Sequence, residues 1–291
     1  MNVSEIDVIT PKSVLECLEI LAKNRGEYRL IAGGTDAVVR MKDGHFRPSV
    51  WINSKDLHSL SFIKQVENEI QIGPLCTHTE LIRSPLIREK ADLIVEAARQ
   101  VGATQIQNMG TIGGNVGTAS PAGDLIPTLY VLSARIELSS LNGKRVIPVE
   151  EFFLGPGKTD MKPNEMITKI IITPQTENEL GIFEKLGPRK SQAISIVNVA
   201  CSLQMDANRK CLGGKIAFGS VGPTVIRARK CESMLTLANL DEEMIENIGE
   251  MAWKEVMPIS DIRASAGYRR DMAKALLKRG LFRLMKRWEE R

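Results

Sequence analysis

The stretch TIGGNVGTASPAGD, from Thr111 to Asp124, decides how this chain is expected to fold. It holds four glycines and three hydroxyl side chains, and hydrophobic segments flank it on both sides. A shorter segment, AGGTD from Ala32 to Asp36, repeats the combination of adjacent glycines beside a threonine. Adjacent glycines accept positive φ angles and let neighbouring backbone N–H groups point outward together. Such a concavity binds anionic oxygens, and a helix that follows it adds partial positive charge. The two segments therefore predict a phosphate-binding site.

The polar side chains around these glycines suit the rest of a nucleotide. The hydroxyls of Thr35, Thr111, Thr118 and Ser120 can donate to phosphate or ribityl oxygens, whereas Asp124 can accept from sugar-like hydroxyls. The chain contains neither the dinucleotide pattern G-x-G-x-x-G nor the P-loop pattern G-x-x-x-x-G-K-[ST]. The expected phosphate site therefore lies outside the usual dinucleotide and ATP folds.

Composition excludes several other classes of protein. The 291 residues have an ordinary apolar content of 43% and a net charge of only +4, which does not indicate a nucleic-acid binder. No apolar run approaches a membrane span, and the N-terminus lacks the pattern of a signal peptide, so we expect a cytoplasmic protein. The five cysteines are odd in number and form no CxxC pair. That spacing argues against disulfides and against an iron–sulfur or zinc site made by this chain alone.

Hydrophobic periodicity gives the order of the elements in the first half of the chain. The sequence predicts a helix in TPKSVLECLEIL that Thr10 or Ser13 caps, a strand at Leu30–Ala32, a turn at Gly33–Gly34, and a helix that Thr35 or Asp36 caps. It also predicts strands in PSVWINS and NEIQIGP, a helix over residues 79–101, a buried helix in LIPTLYVL, and a hairpin in ARIELSSLNGKRVIPV that turns at Asn142–Gly143.

A polar segment with proline and glycine, TPQTENELG from Thr173 to Gly181, predicts a domain boundary. Beyond it we expect strands in GIFEKL, IVNVACSLQM and GGKIAFGSV, with DANRK as the turn between the last two. Residues 241–256 and 264–289 are expected to be helical. The predicted architecture is α+β in both parts: one domain over residues 1–175, and a smaller one over 176–291 with an antiparallel sheet and helices.

Several long motifs resemble one family, the FAD-binding subunits of the molybdenum hydroxylases. The motif IAGGTDAVVRMKDG begins at Ile31, and NMGTIGGNVGTASPAGDLIPTL begins at Asn108. In the C-terminal part, FEKLGPRKSQAISIVNVACSL and IAFGSVGPTVIRA resemble the start and the middle of the family's second domain. Xanthine dehydrogenase, carbon monoxide dehydrogenase and nicotinate dehydrogenase belong to this family, and the resemblance covers essentially the whole chain.

The resemblance implies a two-subdomain FAD-binding domain of the PCMH/vanillyl-alcohol-oxidase type, divided near residue 55, plus the smaller C-terminal α+β domain. FAD would lie extended and non-covalently bound between the subdomains, with both glycine turns approaching its pyrophosphate. By position, the residues implied to contact FAD are Arg29, Leu30, Ile31, Ala32, Gly33, Gly34, Thr35, Asp36, Gly110, Thr111, Ile112, Gly113, Gly114, Asn115, Ser120, Asp124, Met166 and Lys185.

Four of these residues have particular roles by resemblance. Ser120 and Asp124 would reach the ribityl or adenosine hydroxyls, and Met166 would supply a backbone contact to the flavin or adenine end. Lys185 would lie near the isoalloxazine, where a cation suits the negative charge of a reduced flavin. No residue is expected to act as nucleophile or general base, because the bound flavin is the redox group.

The resemblance also implies partners. A small subunit would carry [2Fe–2S] clusters, and a large subunit would carry the molybdopterin cofactor and the substrate pocket, in a dimer of heterotrimers. Electrons would pass from the clusters to FAD and then to an acceptor such as NAD⁺. Neither nucleic acid nor a membrane span is expected.

Two other functions stay open at this stage. A stand-alone flavin reductase or oxidase of the same fold, like the UDP-N-acetylenolpyruvoylglucosamine reductases, would need its own substrate pocket and an acid. A non-enzymatic nucleotide-binding protein would hold a different phosphate ligand in the same turns.

Overall fold

The chain begins with a small parallel sheet and two helices. The computed structural model describes residues 6–23, 27–206 and 210–290, and the strand order of this sheet is β1-β3-β2. The elements are β1 (Asp7–Ile9), α1 (Val14–Ala22), β2 (Tyr28–Ile31), α2 (Ala37–Lys42) and β3 (Val50–Asn53). Parallel neighbours need crossover connections, and the two helices supply them. Cys17, Leu18 and Leu21 of α1 share a buried cluster with Ile52 of β3.

The start of α1 confirms Ser13 as the cap of this helix. Ser13 Oγ accepts a hydrogen bond from the Glu16 backbone N–H at 3.1 Å. The Glu16 carboxylate accepts from the backbone N–H of Lys12 at 2.6 Å, where a complete capping box would have it accept from Ser13.

An antiparallel sheet of five strands follows, in the order β4-β5-β10-β6-β7. Its strands are β4 (Ile63–Val66), β5 (Glu69–Ile72), β6 (Arg135–Ser140), β7 (Gly143–Pro148) and β10 (Met166–Ile172). Between β5 and β6 lie α3 (His78–Arg83), α4 (Pro85–Lys90), α5 (Asp92–Arg99), α6 (Thr104–Met109), α7 (Ile112–Thr118) and α8 (Leu125–Val131). After β7 come α9 (Val149–Phe152) and the short strands β8 (Phe153–Gly155) and β9 (Lys158–Thr159).

The single helix predicted over residues 79–101 is wrong, because the structure has the three helices α3, α4 and α5 there. Ser84 has an extended conformation, with φ −62° and ψ 121°, and it ends α3 while its side chain caps α4. Pro85 cannot continue the ladder of α3, since it lacks an N–H. Ala91 separates α4 from α5 in a further non-helical conformation.

The hairpin of β6 and β7 forms as predicted, but its turn lies one residue earlier. Ser140 pairs with Gly143, so Leu141 and Asn142 are the two turn residues. Gly143 already belongs to β7, with a φ of 128° that a side chain would strain.

The C-terminal part packs two long helices on an antiparallel sheet with the order β11-β12-β13-β14. Its elements are β11 (Glu179–Leu186), β12 (Val197–Met205), β13 (Cys211–Gly219), β14 (Ile226–Arg227), α10 (Arg229–Leu235), α11 (Glu242–Glu255) and α12 (Ala266–Glu289). The two long helices confirm the predictions over 241–256 and 264–289. The predicted DANRK turn includes residues 207–209, which lie outside the described residues.

The two parts of the chain share buried surface. Phe183, Ala200 and Ala217 of the C-terminal sheet belong to the same hydrophobic cluster as Leu93 of α5 and Leu129 of α8. At this seam Asp124, after the loop that follows α7, contacts Lys185 of β11 and Asn198 of β12. Among the described residues, every helix is too short or too polar to cross a membrane.

Candidate cofactor site

The first glycine segment connects β2 to α2 and lies directly against the second. Gly34 has a φ of 71°, a left-handed conformation that glycine adopts without strain. A Cβ added at Gly33 would overlap the carbonyl of Met109 and come within 3.1 Å of the Gly110 Cα. Only glycine therefore allows β2–α2 to approach the end of α6 this closely.

This first segment presents a run of backbone donors. Among the residues that the structure describes, none accepts a hydrogen bond from the N–H groups of Gly33, Gly34, Thr35, Asp36 and Ala37. All five residues keep partial or full solvent exposure. Unpaired N–H groups at the start of a helix bind anions well, so the segment fits a phosphate.

The predicted caps of α2 are not formed. Asp36 occupies the N-cap position without any capping hydrogen bond from its side chain, and Thr35 lies outside the helix. The Asp36 carboxylate instead accepts a hydrogen bond from the Thr118 hydroxyl at 3.2 Å. This contact joins the start of α2 to the end of α7, so it fixes the distance between the two segments.

The second glycine segment is the first turn of a helix, where the sequence predicted a loop turn. Gly110 ends α6, and α7 starts immediately after Thr111. The Thr111 hydroxyl caps α7 by accepting from the Gly114 N–H at 3.0 Å. Gly113 and Gly114 are thus helical, because the side chain of Thr111 starts the helix in spite of their low helix propensity.

The backbone N–H groups at the start of α7 already donate within the protein. Ile112 N–H donates to the Cys76 carbonyl at 2.9 Å, and Gly113 N–H donates to the Pro74 carbonyl at 2.9 Å. A Cβ at Gly113 would lie 2.6 Å from that Pro74 oxygen, so this glycine is required for the contact. The segment around Pro74 and Cys76 therefore holds the start of α7 in place.

What α7 offers instead is an open face. A Cβ at Gly114 would meet only the Thr111 hydroxyl at 3.1 Å, and one at Gly117 only the Ile167 Cδ1 at 4.0 Å. On the same helix, the Asn115 Oδ1 is buried, and no donor among the described residues reaches it. A buried unpaired acceptor beside a face without side chains fits a ligand that supplies the missing donor.

His78 contacts the start of the second segment through its backbone and its ring. Its backbone N–H donates to the Gly110 carbonyl at 3.0 Å, and a Cβ at Gly110 would lie 3.1 Å from the imidazole ring. Burial lowers the pKa of His78 to about 4, so the ring is neutral at physiological pH. The nearby Cys76 thiol is also protonated, because burial raises its pKa to about 11.

Asp124 and Lys185 form a buried ion pair across the seam. The Lys185 Nζ lies 2.6 Å from Asp124 Oδ2 and also donates to the Gln100 carbonyl at 2.9 Å. The other carboxylate oxygen, Oδ1, accepts from the Ser195 hydroxyl at 2.6 Å and from the Asn198 amide at 3.0 Å. Burial raises the pKa of Asp124, whereas Lys185 and the two other donors stabilise its charged form and oppose that rise.

Three further predicted residues lie on β10, in the loop after α7 and on β2. Met166 pairs with Ser139 at the start of β10, and its side chain is buried in the cluster of α1 and β3. The Ser120 hydroxyl accepts from the Ala122 N–H at 3.3 Å in the loop after α7. Arg29 belongs to β2, and its guanidinium lies 5.9 Å from the Phe46 ring.

Three residues near the site lie within the quoted motifs but were not among the predicted FAD contacts. Arg40, one helical turn after Asp36, places its guanidinium 5.8 Å from the Phe46 ring and 3.7 Å from where a Cβ at Gly157 would stand. Its guanidinium also lies 3.9 Å from the Asp36 carboxylate and offsets that negative charge beside the unpaired N–H groups. Ser195 and Asn198 contact Asp124 from more than 70 residues away in sequence, and no local pattern signals that pairing.

The site as a whole suits a phosphate-bearing nucleotide. The segment with the unpaired N–H groups lies against Met109, and Asp36 in that segment contacts Thr118 at the end of α7. The same helix carries the open Gly114–Gly117 face and the unpaired Asn115 oxygen. The cysteines Cys17, Cys76, Cys201, Cys211 and Cys231 are all free and buried. Among the described residues, no group of three His, Cys, Asp or Glu side chains is arranged to hold a metal ion.

Comparison with known proteins covers almost the whole chain. Residues 4–175 match the family described as "FAD binding domain in molybdopterin dehydrogenase", and residues 183–284 match the "CO dehydrogenase flavoprotein C-terminal domain". The nicotinate dehydrogenase FAD-subunit of Eubacterium barkeri is 32% identical over 279 residues, which cover 94% of each chain. The carbon monoxide dehydrogenase medium chain of Hydrogenophaga pseudoflava is 28% identical and covers 93% of this chain and 94% of its own.

The fold is similar to solved structures as well. A structure of the carbon monoxide dehydrogenase of Hydrogenophaga pseudoflava, which lacks the Mo-pyranopterin moiety of the molybdenum cofactor, superposes with a TM-score of 0.92. The aligned residues are 27% identical and cover 96% of both chains.

Proposed function

Because this chain belongs to the family of FAD-binding subunits of the molybdenum hydroxylases, we propose that it is the electron-transfer subunit of such an enzyme. The comparisons confirm four predictions: the family, the α+β fold with its C-terminal domain, the FAD cofactor and the class of oxidoreductase subunit. The observation that carries the proposal is the run of unpaired N–H groups at residues 33–37, in a segment that Asp36 joins to Thr118 at the end of α7.

In this proposal the two glycine segments hold the FAD pyrophosphate without a covalent bond to the protein. The N–H groups of Gly33 to Ala37 donate to the phosphate oxygens, and Arg40 lowers the cost of their negative charge. Gly114 and Gly117 let the cofactor approach the backbone of α7, and Asn115 accepts from a cofactor donor. Thr111 acts indirectly, by capping α7.

The flavin end of the cofactor would lie near the seam between the two parts of the chain. Lys185 supplies a fixed positive charge there, and Asp124 holds that ammonium at 2.6 Å. Bound FAD supplies the redox chemistry, and the protein supplies position and electrostatics. The chain's own residues need no acid or base for this task.

The partners belong to the proposal too. The relatives named above are subunits of larger enzymes, an FAD-subunit and a medium chain. The similar carbon monoxide dehydrogenase is described as an enzyme with a molybdenum cofactor. We infer a small subunit with [2Fe–2S] clusters and a large subunit with molybdopterin, assembled as a dimer of heterotrimers in the cytoplasm. Electrons would leave FAD for an acceptor such as NAD⁺.

The division of the chain into domains has support in the same findings. The first family match ends at residue 175 and the second begins at 183, near the proposed boundary between 1–175 and 176–291. The parallel sheet ends at Asn53, close to the proposed subdomain division near residue 55.

The test is to produce the chain with excess flavin and identify what it releases on denaturation. We expect one FAD per chain, and co-production with the partner subunits should yield a complex that contains iron and molybdenum. ADP or coenzyme A in place of FAD would contradict the proposal. Anaerobic addition of NADH to the complex tests the acceptor separately. Bleaching of the flavin absorption supports NAD⁺ as the acceptor, and an unchanged spectrum contradicts it.

A further inference from the structure

The loop from Ala119 to Asp124 leaves the candidate site and is fixed by the other part of the chain. It follows α7, whose glycine face forms one wall of the site, and it ends where α8 begins. Its Pro121 carbonyl accepts a hydrogen bond from the Ser220 N–H at 2.8 Å. Its Asp124 carboxylate is bound entirely by side chains of the C-terminal part.

Ser195 and Asn198 make up one half of that carboxylate binding. Ser195 Oγ donates to Asp124 Oδ1 at 2.6 Å, and the Asn198 amide donates to the same oxygen at 3.0 Å. The Asn198 amide also lies 3.3 Å from Ser195 Oγ, so the two side chains hold each other. Both are buried, with 1% and 0% of their surface exposed, so water cannot replace either donor.

The Asn198 side chain fits only because its partner on β13, Gly219, has no side chain. A Cβ at Gly219 would overlap the Asn198 Oδ1 and lie 3.2 Å from Pro127. The Asn198 Oδ1 has no hydrogen-bond partner among the described residues, so this side chain forms hydrogen bonds only through its Nδ2. An asparagine with an unpaired oxygen is unfavourable in a core, which indicates that its amide donor has a use beyond packing.

We propose that Ser195 and Asn198 are positioning residues for the cofactor site, which act through Asp124. By holding this carboxylate they fix the loop after α7 and the ammonium of Lys185, and so they strengthen FAD binding from outside the cofactor's reach. The inference rests on the proposed function, because it assumes that FAD occupies the site formed by the two glycine segments.

The first test measures the dissociation constant of FAD for the full chain carrying Ser195→Ala. Loss of a hydrogen bond to a buried carboxylate should weaken FAD binding by about tenfold. Ser195→Thr keeps the hydroxyl and should restore most of the affinity. Ser202→Ala is the matched control, because Ser202 is also buried on the C-terminal sheet and has no contact with Asp124 among the described residues.

A double-mutant cycle separates positioning from a general loss of stability. If Ser195 acts through Asp124, Ser195→Ala should have little further effect on FAD binding once Asp124→Ala is present. Gly219→Ala supplies an independent approach, since it displaces Asn198 without removing a polar group. Gly213→Ala on the same strand has open space around its Cβ and should bind FAD normally.

The outcomes distinguish this inference from the proposed function. Wild-type affinity in both Ser195→Ala and Gly219→Ala would overturn the positioning role and leave FAD binding intact. An equal effect of Ser195→Ala with and without Asp124 would also overturn it. A wild-type chain that binds no FAD would instead overturn the proposed function.

Discussion

The two glycine segments look alike in sequence and differ in what they offer a ligand. In the first, the N–H groups of Gly33 to Ala37 have no acceptor among the described residues. In the second, the N–H groups of residues 112–115 are all paired within the protein. The first segment therefore supplies hydrogen-bond donors, whereas the second supplies a rigid helix with a face that carries no side chains.

This difference explains why the pair contains so many glycines. Gly33 and Gly113 allow contact between protein segments, because a Cβ at either would overlap or crowd a neighbouring carbonyl. Gly114 and Gly117 meet almost nothing, so their lack of a side chain leaves room for a ligand. Substitutions at the two kinds of glycine should consequently have different effects.

The largest effect is expected at Gly33, where a methyl group would overlap the Met109 carbonyl. Gly33→Ala should lower the free energy of unfolding by about 3 kcal/mol or more, because the backbone of one segment must move. FAD binding should be lost with it. Urea unfolding and flavin content measure the two effects. Gly155→Ala, with open space around its Cβ, should change stability by less than about 1 kcal/mol.

Gly114→Val is expected to abolish the retention of FAD on purification and to leave the fold intact. Its side chain would project from the open face of α7, so the affinity for FAD should fall by about a hundredfold. The unfolding midpoint should stay close to that of the wild type, with the C-terminal domain folded. Gly267→Val in the first turn of α12 is the matched control, and it should retain FAD. Normal flavin content in Gly114→Val would contradict the role given to α7.

The support under the second segment should depend on pH through His78. Its pKa is lowered to about 4 in the folded protein from 6.5, so the unfolded chain binds more protons between these values. The contribution of His78 to stability is therefore fully present above pH 6.5 and falls by roughly 3 kcal/mol as the pH decreases to about 4.

The measurement compares unfolding free energies of wild type and His78→Leu across this range. The variant should lose most of that pH dependence, whereas His58→Gln at an exposed position should keep it. A wild-type slope in His78→Leu would show that other groups cause the decrease.

The smallest effect is expected from the cap of α7. Thr111→Val removes the oxygen that accepts from the Gly114 N–H, which should destabilise the protein by about 1 kcal/mol and weaken FAD binding several-fold. Thr111→Ser keeps that oxygen and should restore the affinity. If thermal unfolding and FAD titration show no change in Thr111→Val, the glycine-rich helix does not depend on its cap.

The sequence predicted best where local signals act alone. The helices α11 and α12 were predicted close to their observed bounds, and in the structure Asp241 and Ser265 cap them. The prediction was wrong where a capping side chain sets the start of a helix. Ser84 ends one helix and begins the next, so a continuous apolar pattern hid a break. Gly113–Gly114 resemble a turn, but the cap of Thr111 makes them helical.

The sequence predicted which segments form the site, but not the hydrogen bonds that its residues make. The glycine segments could be identified from their composition, because few other patterns combine adjacent glycines with threonine. Within the described part of the chain, the N–H groups of residues 33–37 are unpaired and those of residues 112–115 are paired. This difference depends on partners such as Pro74 and Cys76, which no local pattern reveals. The pairing of Asp124 with Ser195 and Asn198 spans 71 and 74 residues, and only the tertiary fold brings it about.

The most direct test of the two-segment account is hydrogen–deuterium exchange of the full chain with and without saturating FAD. The account predicts that peptides covering Gly33 to Ala37 exchange at least about tenfold more slowly with FAD, because their unpaired N–H groups gain phosphate acceptors. Peptides covering residues 112–115 should change much less, since those N–H groups are paired already. Unchanged exchange at residues 33–37 in a chain that has bound FAD would contradict the account.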